Sequence, residues 1–319
     1  MTQEEEPLLA PPVGAWITPR PARGLEVLQR LVGLPRLVNG HRDLVLTTLR
    51  RDLTARFQGT LLGWAWPILQ PLLLFAIYYF IFTRFLGQRM PALPESQQAG
   101  MGVYMFCAMI AWSALSESLG RGTSVIVDNG NLIKKLAFPS ELLPLNVVLA
   151  SLVMMLFGVA IFIAVCFTPV WPRPGPALAW IPLIVVLQGL FTYGIVLFLS
   201  TLHVFLRDTA QVVGMATTVW MFLTPVFWVP ELLTEGPGGA SVEQHMGLIH
   251  ANPGYHLVAA WRGALMGDVS LTLESGVLTP VSVAAIPGHL GVFALWALGA
   301  YVLGYAFFVH SQRRFADEV

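Results

Sequence analysis

Six long apolar stretches determine what this chain can fold into. They lie at residues 67–86, 102–119, 142–167, 180–206, 212–229 and 289–310. A helix needs about 20 predominantly apolar residues to cross the hydrocarbon core of a bilayer. Each stretch is therefore predicted to be a transmembrane helix, and the sequence predicts an all-α integral membrane fold with six spans.

The polar residues of the chain are too few to cover a soluble domain of this size. Only 11% of the residues are charged and 55% are hydrophobic, with a mean hydropathy of +0.68. An average soluble domain has about 25% charged residues, so most of this surface is predicted to face lipid. The net charge is +0, which gives no reason to expect a nucleic acid as a partner.

Lysine and arginine are distributed unevenly between the two sides of the predicted bundle. Six spans place both termini on the same side, and that side holds 14 of the 18 Lys and Arg residues. Because cytoplasmic loops of membrane proteins carry the excess of positive charge, both termini are predicted to be cytoplasmic.

The regions outside the spans differ in composition. Residues 1–38 begin with an acidic stretch interrupted by prolines. They are predicted to form a cytoplasmic, partly disordered segment. The spans form a membrane domain over residues 67–310, and residues 311–319 are a cytoplasmic tail. The long loop 230–288 is predicted to be external, with a short external or re-entrant helix in "NPGYHLVAAWRGALMGD".

Residues 39–66 are predicted to form an amphipathic interfacial helix and a collar before the first span. The apolar positions recur at helical spacing, at Leu46, Leu49, Leu53 and Phe57. Charged and aromatic residues surround them, namely Arg50, Arg51, Asp52, Arg56, Trp64 and Trp66. Such arginines reach lipid phosphates, and tryptophans favour headgroup depth. The pattern indicates an interfacial portal beside the first span, and a simple topology anchor is the alternative.

Motifs for catalysis or nucleotide binding do not occur in the sequence. The two lysines, Lys134 and Lys135, do not follow a glycine, so no phosphate-binding loop can form. Cys107 and Cys166 lie in apolar runs, and the histidines show no metal-ligand spacing. No cofactor is therefore predicted to bind this chain.

Four stretches together resemble a known family. They are "RRDLTARFQGTLLGWAWPILQPLLLFAIYYFIFTRFLG", "NGNLIKKLAFPSELLP", "VFLRDTAQVVGMATTVWMFLTPVFW" and "NPGYHLVAAWRGALMG". In this order they resemble the polysaccharide-export permeases of ABC transporters, which include exporters of O-antigen, capsule and teichoic acid. The resemblance covers residues 42–315.

The resemblance implies a permease subunit in the cytoplasmic (inner) membrane that moves a lipid-linked surface polysaccharide, such as an O-antigen. It implies a homodimer of this chain and two copies of a separate ATP-binding subunit, which would hold ATP and Mg²⁺. Two alternatives remain open: an ABC permease for drugs or small lipids, and a membrane enzyme acting on polyprenyl-linked sugars. Asp128 and Glu141 are the acids available to such an enzyme on the cytoplasmic side.

The resemblance also implies where the ATPase would dock. The coupling segment would be formed by Asn131, Leu132, Ile133, Lys134, Lys135, Leu136 and Phe138. An ordinary basic loop is the alternative. Arg207 and Asp208, in a short cytoplasmic turn, would make a second contact, or else Arg207 sets topology while Asp208 caps the next helix.

Aromatic residues on the first and fifth predicted spans are candidates for the pore lining, because sugar C–H faces stack on aromatic rings. The candidates are Tyr78, Tyr79, Phe82, Trp220, Phe222 and Trp228. Lipid-facing or packing roles are the alternative for each. Glu117 and His203 are ionisable groups near span ends, where either function or snorkelling to the interface explains them.

Overall fold

The computed structural model describes residues 24–85, 100–135, 139–168, 171, 175–234, 239–273 and 276–318. In chain order its elements are α1 (Gly24–Gly40), α2 (Arg42–Ala55), α3 (Trp66–Tyr78), α4 (Gly100–Asp128), α5 (Gly130–Lys135), α6 (Leu142–Val165), α7 (Ile181–Phe205), α8 (Thr209–Leu223), α9 (Pro230–Thr234), α10 (Gly239–Ala251), α11 (Pro253–Met266), β1 (Val269–Leu273), β2 (Gly276–Val281), α12 (Ile286–Ser311) and α13 (Phe315–Glu318). A π-helical turn, Tyr79–Phe85, extends α3, and short 3-10 turns precede α3, α7 and α12.

Five helical segments are long and apolar enough to cross a membrane, which makes the chain a multi-pass membrane protein. They are Gly63–Ile81, Gly100–Asp128, Leu142–Val165, Pro176–Phe205 and Val283–Ser311. Five of the six predicted spans are thus confirmed as membrane-length helices. The predicted span 212–229 corresponds to α8, which has 15 residues and ends at Leu223.

The early end of α8 has a local cause. Thr224 leaves the helical conformation, with φ −90° and ψ 135°, and it precedes Pro225. A proline disfavours the helical conformation in the residue before it. The apolar run therefore continues to residue 229 although the helix does not.

Helix α4 lies at the centre of the bundle. It packs against α6, α7 and α11, and most of its residues are buried. By contrast, α3 lies at the periphery, and only 11% of the span that contains it is buried. The rigid core therefore lies around α4, while α3 presents most of its apolar surface outward.

Helices α7 and α12 cross in backbone contact. Gly194 and Gly304 face each other at the crossing, and a Cβ atom added to Gly304 would overlap the Gly194 carbonyl group. A Cβ added to Gly194 would in turn meet the backbone of Ala300. Small residues allow such close approach of membrane helices, so the crossing depends on glycine at both positions.

The segment between α8 and α12 forms a cap of helices α9, α10 and α11 and an antiparallel β1–β2 hairpin. The hairpin was not predicted. Its first strand, "VSLTL", does alternate apolar and polar residues, which is the signal typical of a half-buried strand.

Asn252 anchors α11 to the end of α8. Its side-chain oxygen accepts hydrogen bonds from the Gly254 amide at 2.9 Å and from Trp220 Nε1 at 2.8 Å. Its side-chain nitrogen donates to Thr224 Oγ1 at 3.0 Å. This is an N-cap whose side chain also binds a neighbouring helix end, so the "NPGYH" stretch fixes the position of the cap.

Candidate functional site

Helix α2 and the collar that follows it bring the predicted portal residues together. Arg50 and Arg51 are exposed on α2, Trp64 is exposed, and Trp66 is half-buried. The ring of Trp64 lies 5.7 Å from that of Phe57. The chain turns between these rings at Gly59, which has a φ of 75° that glycine adopts readily.

Four charged side chains form an ion cluster between α2 and α4, consisting of Asp52, Arg56, Glu117 and Arg121. Arg56 Nη1 lies 2.5 Å from Glu117 Oε1, and Arg121 Nη2 lies 2.6 Å from Asp52 Oδ1. Weaker contacts of 3.4 and 3.5 Å close the cluster within α4 and within α2. All four side chains are partly buried, so the cluster joins α2 to α4.

The ion cluster gives a role to Glu117 that the sequence did not identify. The carboxylate is paired with two arginines from different helices rather than extended alone to the interface. Glu117 and Arg56 are 61 positions apart in the sequence. A single sequence carries no signal for such a pairing.

A cavity of about 410 Å³ lies on the membrane side of the ion cluster, between α3, α4 and α6. Arg56 and Glu117 form its charged end, while most of the remaining wall is apolar, as at Phe106, Met155 and Leu74. A cavity with one charged end and an apolar body fits an amphiphile better than a sugar.

Helix α5 follows α4 in the chain, precedes α6 and packs against α13. Asn131 and Lys134 are exposed, and Leu132 is half-buried. Ile133 packs against the core of the protein. The side chain of Lys135 and all of Leu136 and Phe138 lie outside the described residues.

Arg207 and Asp208 lie in the turn between α7 and α8. Arg207 Nη2 donates a hydrogen bond to the Glu318 carbonyl at 3.3 Å, which ties the turn to the C-terminal helix α13. Asp208 occupies the N-cap position of α8, but its side chain makes no capping hydrogen bond. The capping interaction considered for Asp208 is therefore not formed.

The predicted pore aromatics fall into two groups. Near the C-terminal ends of α3 and α8, the ring of Phe227 lies 6.3 Å from Tyr78 and 6.2 Å from Phe222. Trp228 joins this group, since its Nε1 donates to the Phe222 carbonyl at 3.1 Å. The side chain of Phe82 lies outside the described residues.

Tyr79 and Trp220 are placed differently. Tyr79 stacks on Phe75 with ring centroids 6.3 Å apart. Trp220 packs between the rings of Trp112 and Phe191, at 5.4 and 6.3 Å, besides its hydrogen bond to the cap. Both side chains pack against the buried core, but only the ring of Trp220 meets rings of other helices, since Phe75 lies on the same helical segment as Tyr79.

The cap carries a buried arginine whose role the sequence analysis missed. Arg262 is 3% exposed, and its guanidinium lies 3.3 Å from the centre of the Tyr104 ring. It donates hydrogen bonds to the carbonyls of Tyr104, Pro225 and Val226 at 3.1, 2.6 and 3.0 Å. Arg262 thus joins α11 to α4 and to the chain that leaves α8.

A neighbouring pair of buried polar side chains strengthens the same junction. Trp261 Nε1 donates to Gln188 Oε1 at 2.8 Å, and Gln188 Nε2 donates to the Ala111 carbonyl at 2.9 Å. Both side chains are fully buried. A fully satisfied buried network of this kind fixes the relative positions of α11, α7 and α4.

Two histidines connect the cap to the first turn of α12. His256 Nε2 lies 2.7 Å from the His250 carbonyl and therefore donates to it, and His256 Nδ1 lies 3.0 Å from His289 Nδ1. Burial is the main cause that lowers the pKa of His256. Among the described residues, no group of three or more His, Cys, Asp or Glu could hold a metal ion.

The sequence matches the model of the family described as ABC-2 type transporter over residues 43–266, which is more than half of the chain. The chain therefore belongs to this family of membrane transport subunits. It is 30% identical over 199 residues to the O-antigen export system permease protein RfbA of Myxococcus xanthus, a match that covers 62% of this chain and 73% of the relative.

Two further relatives, both named O-antigen export system permease protein RfbA, come from Klebsiella pneumoniae. They are 26% identical over 248 and 276 residues, covering 75% and 86% of this chain and 88% and 94% of the relatives. The resemblance to ABC polysaccharide-export permeases that the sequence motifs indicate is therefore confirmed.

Proposed function

We propose that this chain is the transmembrane subunit of an ABC exporter that moves a lipid-linked surface polysaccharide across the cytoplasmic membrane. The observation that carries the proposal is the similarity to O-antigen export permeases over 62% to 86% of the chain. Two copies of this chain would form the channel, and two copies of a separate ATP-binding subunit would supply ATP and Mg²⁺.

In the proposed exporter, α2 lies in the plane of the inner leaflet. Helix α8 crosses the membrane as the fifth span in chain order and brings the total to six. The amphipathic pattern of α2 and its exposed arginines support the first placement. The exposed apolar residues Val212, Met215 and Val219 on α8 support the second, because they suit lipid or a second copy of the chain. Both termini are then cytoplasmic, in agreement with the lysine and arginine distribution.

The proposed route for the glycan passes the outer aromatic group of Tyr78, Phe222, Phe227 and Trp228. These rings come from α3, from the end of α8 and from the irregular segment that follows α8, and Phe222 is largely exposed. Aromatic faces bind sugar C–H groups without fixed hydrogen bonds, so a chain of sugars can slide past them. Tyr79 and Trp220 are assigned to packing in this proposal, because both side chains pack against the buried core and the Trp220 ring contacts Trp112 on α4.

Helix α5 is the proposed coupling element to the ATPase. It lies between two long helices and rests on α13, so a push on it would be transmitted to α4 and α6. Ile133 packs against the protein's own core and would hold α5 in place. Asn131, Leu132 and Lys134 would then face the ATPase.

The first test is affinity purification of the full chain from native membranes, followed by identification of the proteins that accompany it. The proposal expects a stoichiometric partner with a phosphate-binding loop. A homogeneous preparation without such a partner, also after crosslinking, would overturn it.

A variant of α5 tests the coupling assignment. Leu132→Asp combined with Lys134→Glu is expected to leave the protein folded in the membrane and to abolish capture of the ATPase. Leu248→Asp is the matched control, because Leu248 is equally apolar and 72% exposed but lies in the external cap. Retained capture in the α5 variant would remove α5 from the docking surface.

A further inference from the structure

A second cavity, of about 380 Å³, lies between α2, the cytoplasmic end of α4 and the beginning of α6. It is separated from the apolar cavity by the ion cluster, because Asp52 and Arg121 line the second cavity while Arg56 and Glu117 line the first. Its walls carry many polar groups, so its chemistry differs from that of its neighbour. No function assigned above uses this cavity.

Asn146 on α6 indicates that the second cavity holds a ligand. The residue is 5% exposed and lines the cavity, yet neither its side-chain oxygen nor its side-chain nitrogen has a hydrogen-bond partner. A buried amide without partners lowers stability. The amide therefore calls for a ligand that accepts one hydrogen bond and donates another.

The charges of the cavity define what that ligand is. Arg121 is held by Asp52 and Glu117. Arg51 and Asp128 have no ion-pair partner among the described residues, although Ser124 donates a hydrogen bond to Asp128 at 2.6 Å. One cation on α2 and one anion on α4 thus remain available in an otherwise balanced cavity.

A zwitterion suits this arrangement better than an anion. The two arginines and two aspartates that line the cavity, Arg51, Arg121, Asp52 and Asp128, have no net charge together. A diphosphate would bring several negative charges against both carboxylates, whereas a group with one phosphate and one amine matches each charge. The membrane itself supplies such a group.

We propose that this cavity binds the headgroup of a membrane phospholipid that carries a phosphate and a primary amine. The phosphate accepts hydrogen bonds from Arg51 and from the Asn146 side-chain nitrogen. The ammonium group donates to Asp128 and to the Asn146 side-chain oxygen. The inference rests on the proposed placement of α2 at the inner leaflet, which brings the cavity to headgroup depth.

Bound lipid would brace α2 against α4 and α6, because the headgroup contacts residues on all three helices. The same three helices hold the ion cluster and the proposed coupling element. The protein would therefore require an aminophospholipid as a structural partner, separate from the lipid that carries its substrate.

Native mass spectrometry of the full chain, purified with its bound partners, tests the lipid class. The protein is incubated with equal amounts of phosphatidylethanolamine, phosphatidylcholine and phosphatidylglycerol. Phosphatidylcholine keeps the same charges but has no N–H to donate, so about tenfold weaker retention is expected from the lost charge-assisted hydrogen bond. Equal retention of the two, or preferred retention of phosphatidylglycerol, would overturn the proposal.

Variants locate the site. Arg51→Gln and Asp128→Asn are each expected to reduce phosphatidylethanolamine retention about tenfold. Arg42→Gln is the matched control, because Arg42 is an exposed arginine of the same helix that does not line the cavity. Unchanged retention in Arg51→Gln would refute the assignment.

Asn146→Leu still tests the lipid site if Arg51→Gln or Asp128→Asn fails to fold. Asn146→Leu fills the same space without polar atoms, so it is expected to fold at least as well in detergent free of phosphatidylethanolamine. It is also expected to lose the thermal stabilisation that this lipid gives the natural protein. A natural protein that gains no stabilisation from the lipid would mean that only water fills the cavity.

The outcomes separate this inference from the proposed function. A copurifying ATPase without selective lipid retention would refute the lipid site alone. Selective retention without an ATPase partner would refute the exporter while the lipid site stands.

Discussion

Replacing Arg262 by methionine is expected to loosen the cap from the bundle. The guanidinium donates to three backbone carbonyls. These carbonyls differ in whether another donor still binds them once the guanidinium is removed. The Tyr104 carbonyl lies inside α4, where the helix supplies a partner. No backbone N–H of the described residues outside regular helices donates to the carbonyls of Pro225 and Val226, so these two lose their partner.

The loss of stability in Arg262→Met is estimated from the carbonyls of Pro225 and Val226. Each buried carbonyl left without a partner costs about 1–3 kcal/mol, and the contact with the Tyr104 ring adds up to about 2 kcal/mol. The variant no longer buries a charge, which offsets part of the loss. A net destabilisation of about 3 kcal/mol results, corresponding to a fall in melting temperature of about 6–12 °C by the scaling for larger domains.

Thermal unfolding in detergent measures this effect, and hydrogen exchange at residues 226–229 locates it. Arg42→Met is the matched control, since the Arg42 side chain is 73% exposed and surface changes alter stability by about 0.5 kcal/mol or less. Arg262→Lys should give an intermediate loss, because lysine keeps the charge but not the planar fork. A melting temperature for Arg262→Met equal to that of Arg42→Met would refute the reasoning.

Two further predictions concern other junctions. Gly304→Val should prevent assembly of the α7–α12 crossing, since the valine side chain would overlap the Gly194 backbone. The yield of monodisperse protein is the measurement, and it should fall to near zero. Gly299→Val is the control and should express normally, because Gly299 faces open space. Burial lowers the pKa of His256 below its unfolded value of about 6.5, so the stabilisation is complete above that pH and is lost as the pH falls through the folded pKa. The melting temperature should therefore drop as the pH falls below about 6.5, and His256→Gln should flatten that slope while His245→Gln should not.

The membrane helices were predictable because their signal is contained within each segment. The run over Leu142–Val165 is apolar throughout, and length with composition suffices to identify it. The end of α8 was less predictable, since the apolar run passes Thr224 without a break. The Thr224–Pro225 pair does carry a local signal, which the length of the run obscured.

The junctions between helices were not predictable in the same way. Arg262 lies in the long loop 230–288 with no local signal for its role, because its acceptors lie 36 to 158 positions away. Glu117 and Arg56 were likewise treated separately, although their side chains pair. Such contacts depend on how the helices pack, and a single sequence records the residues without recording the neighbours.

The crossing of α7 and α12 limits how the protein can move. Two helices in backbone contact cannot slide by the width of a side chain without separating, and separation would open a void on both sides of Gly194 and Gly304. Helices α7 and α12 therefore move together as one rigid unit of the bundle. Any change in the width of the channel proposed above must then come from helices with looser contacts, and α3, the least buried of the five membrane-length helices, has the most freedom to move.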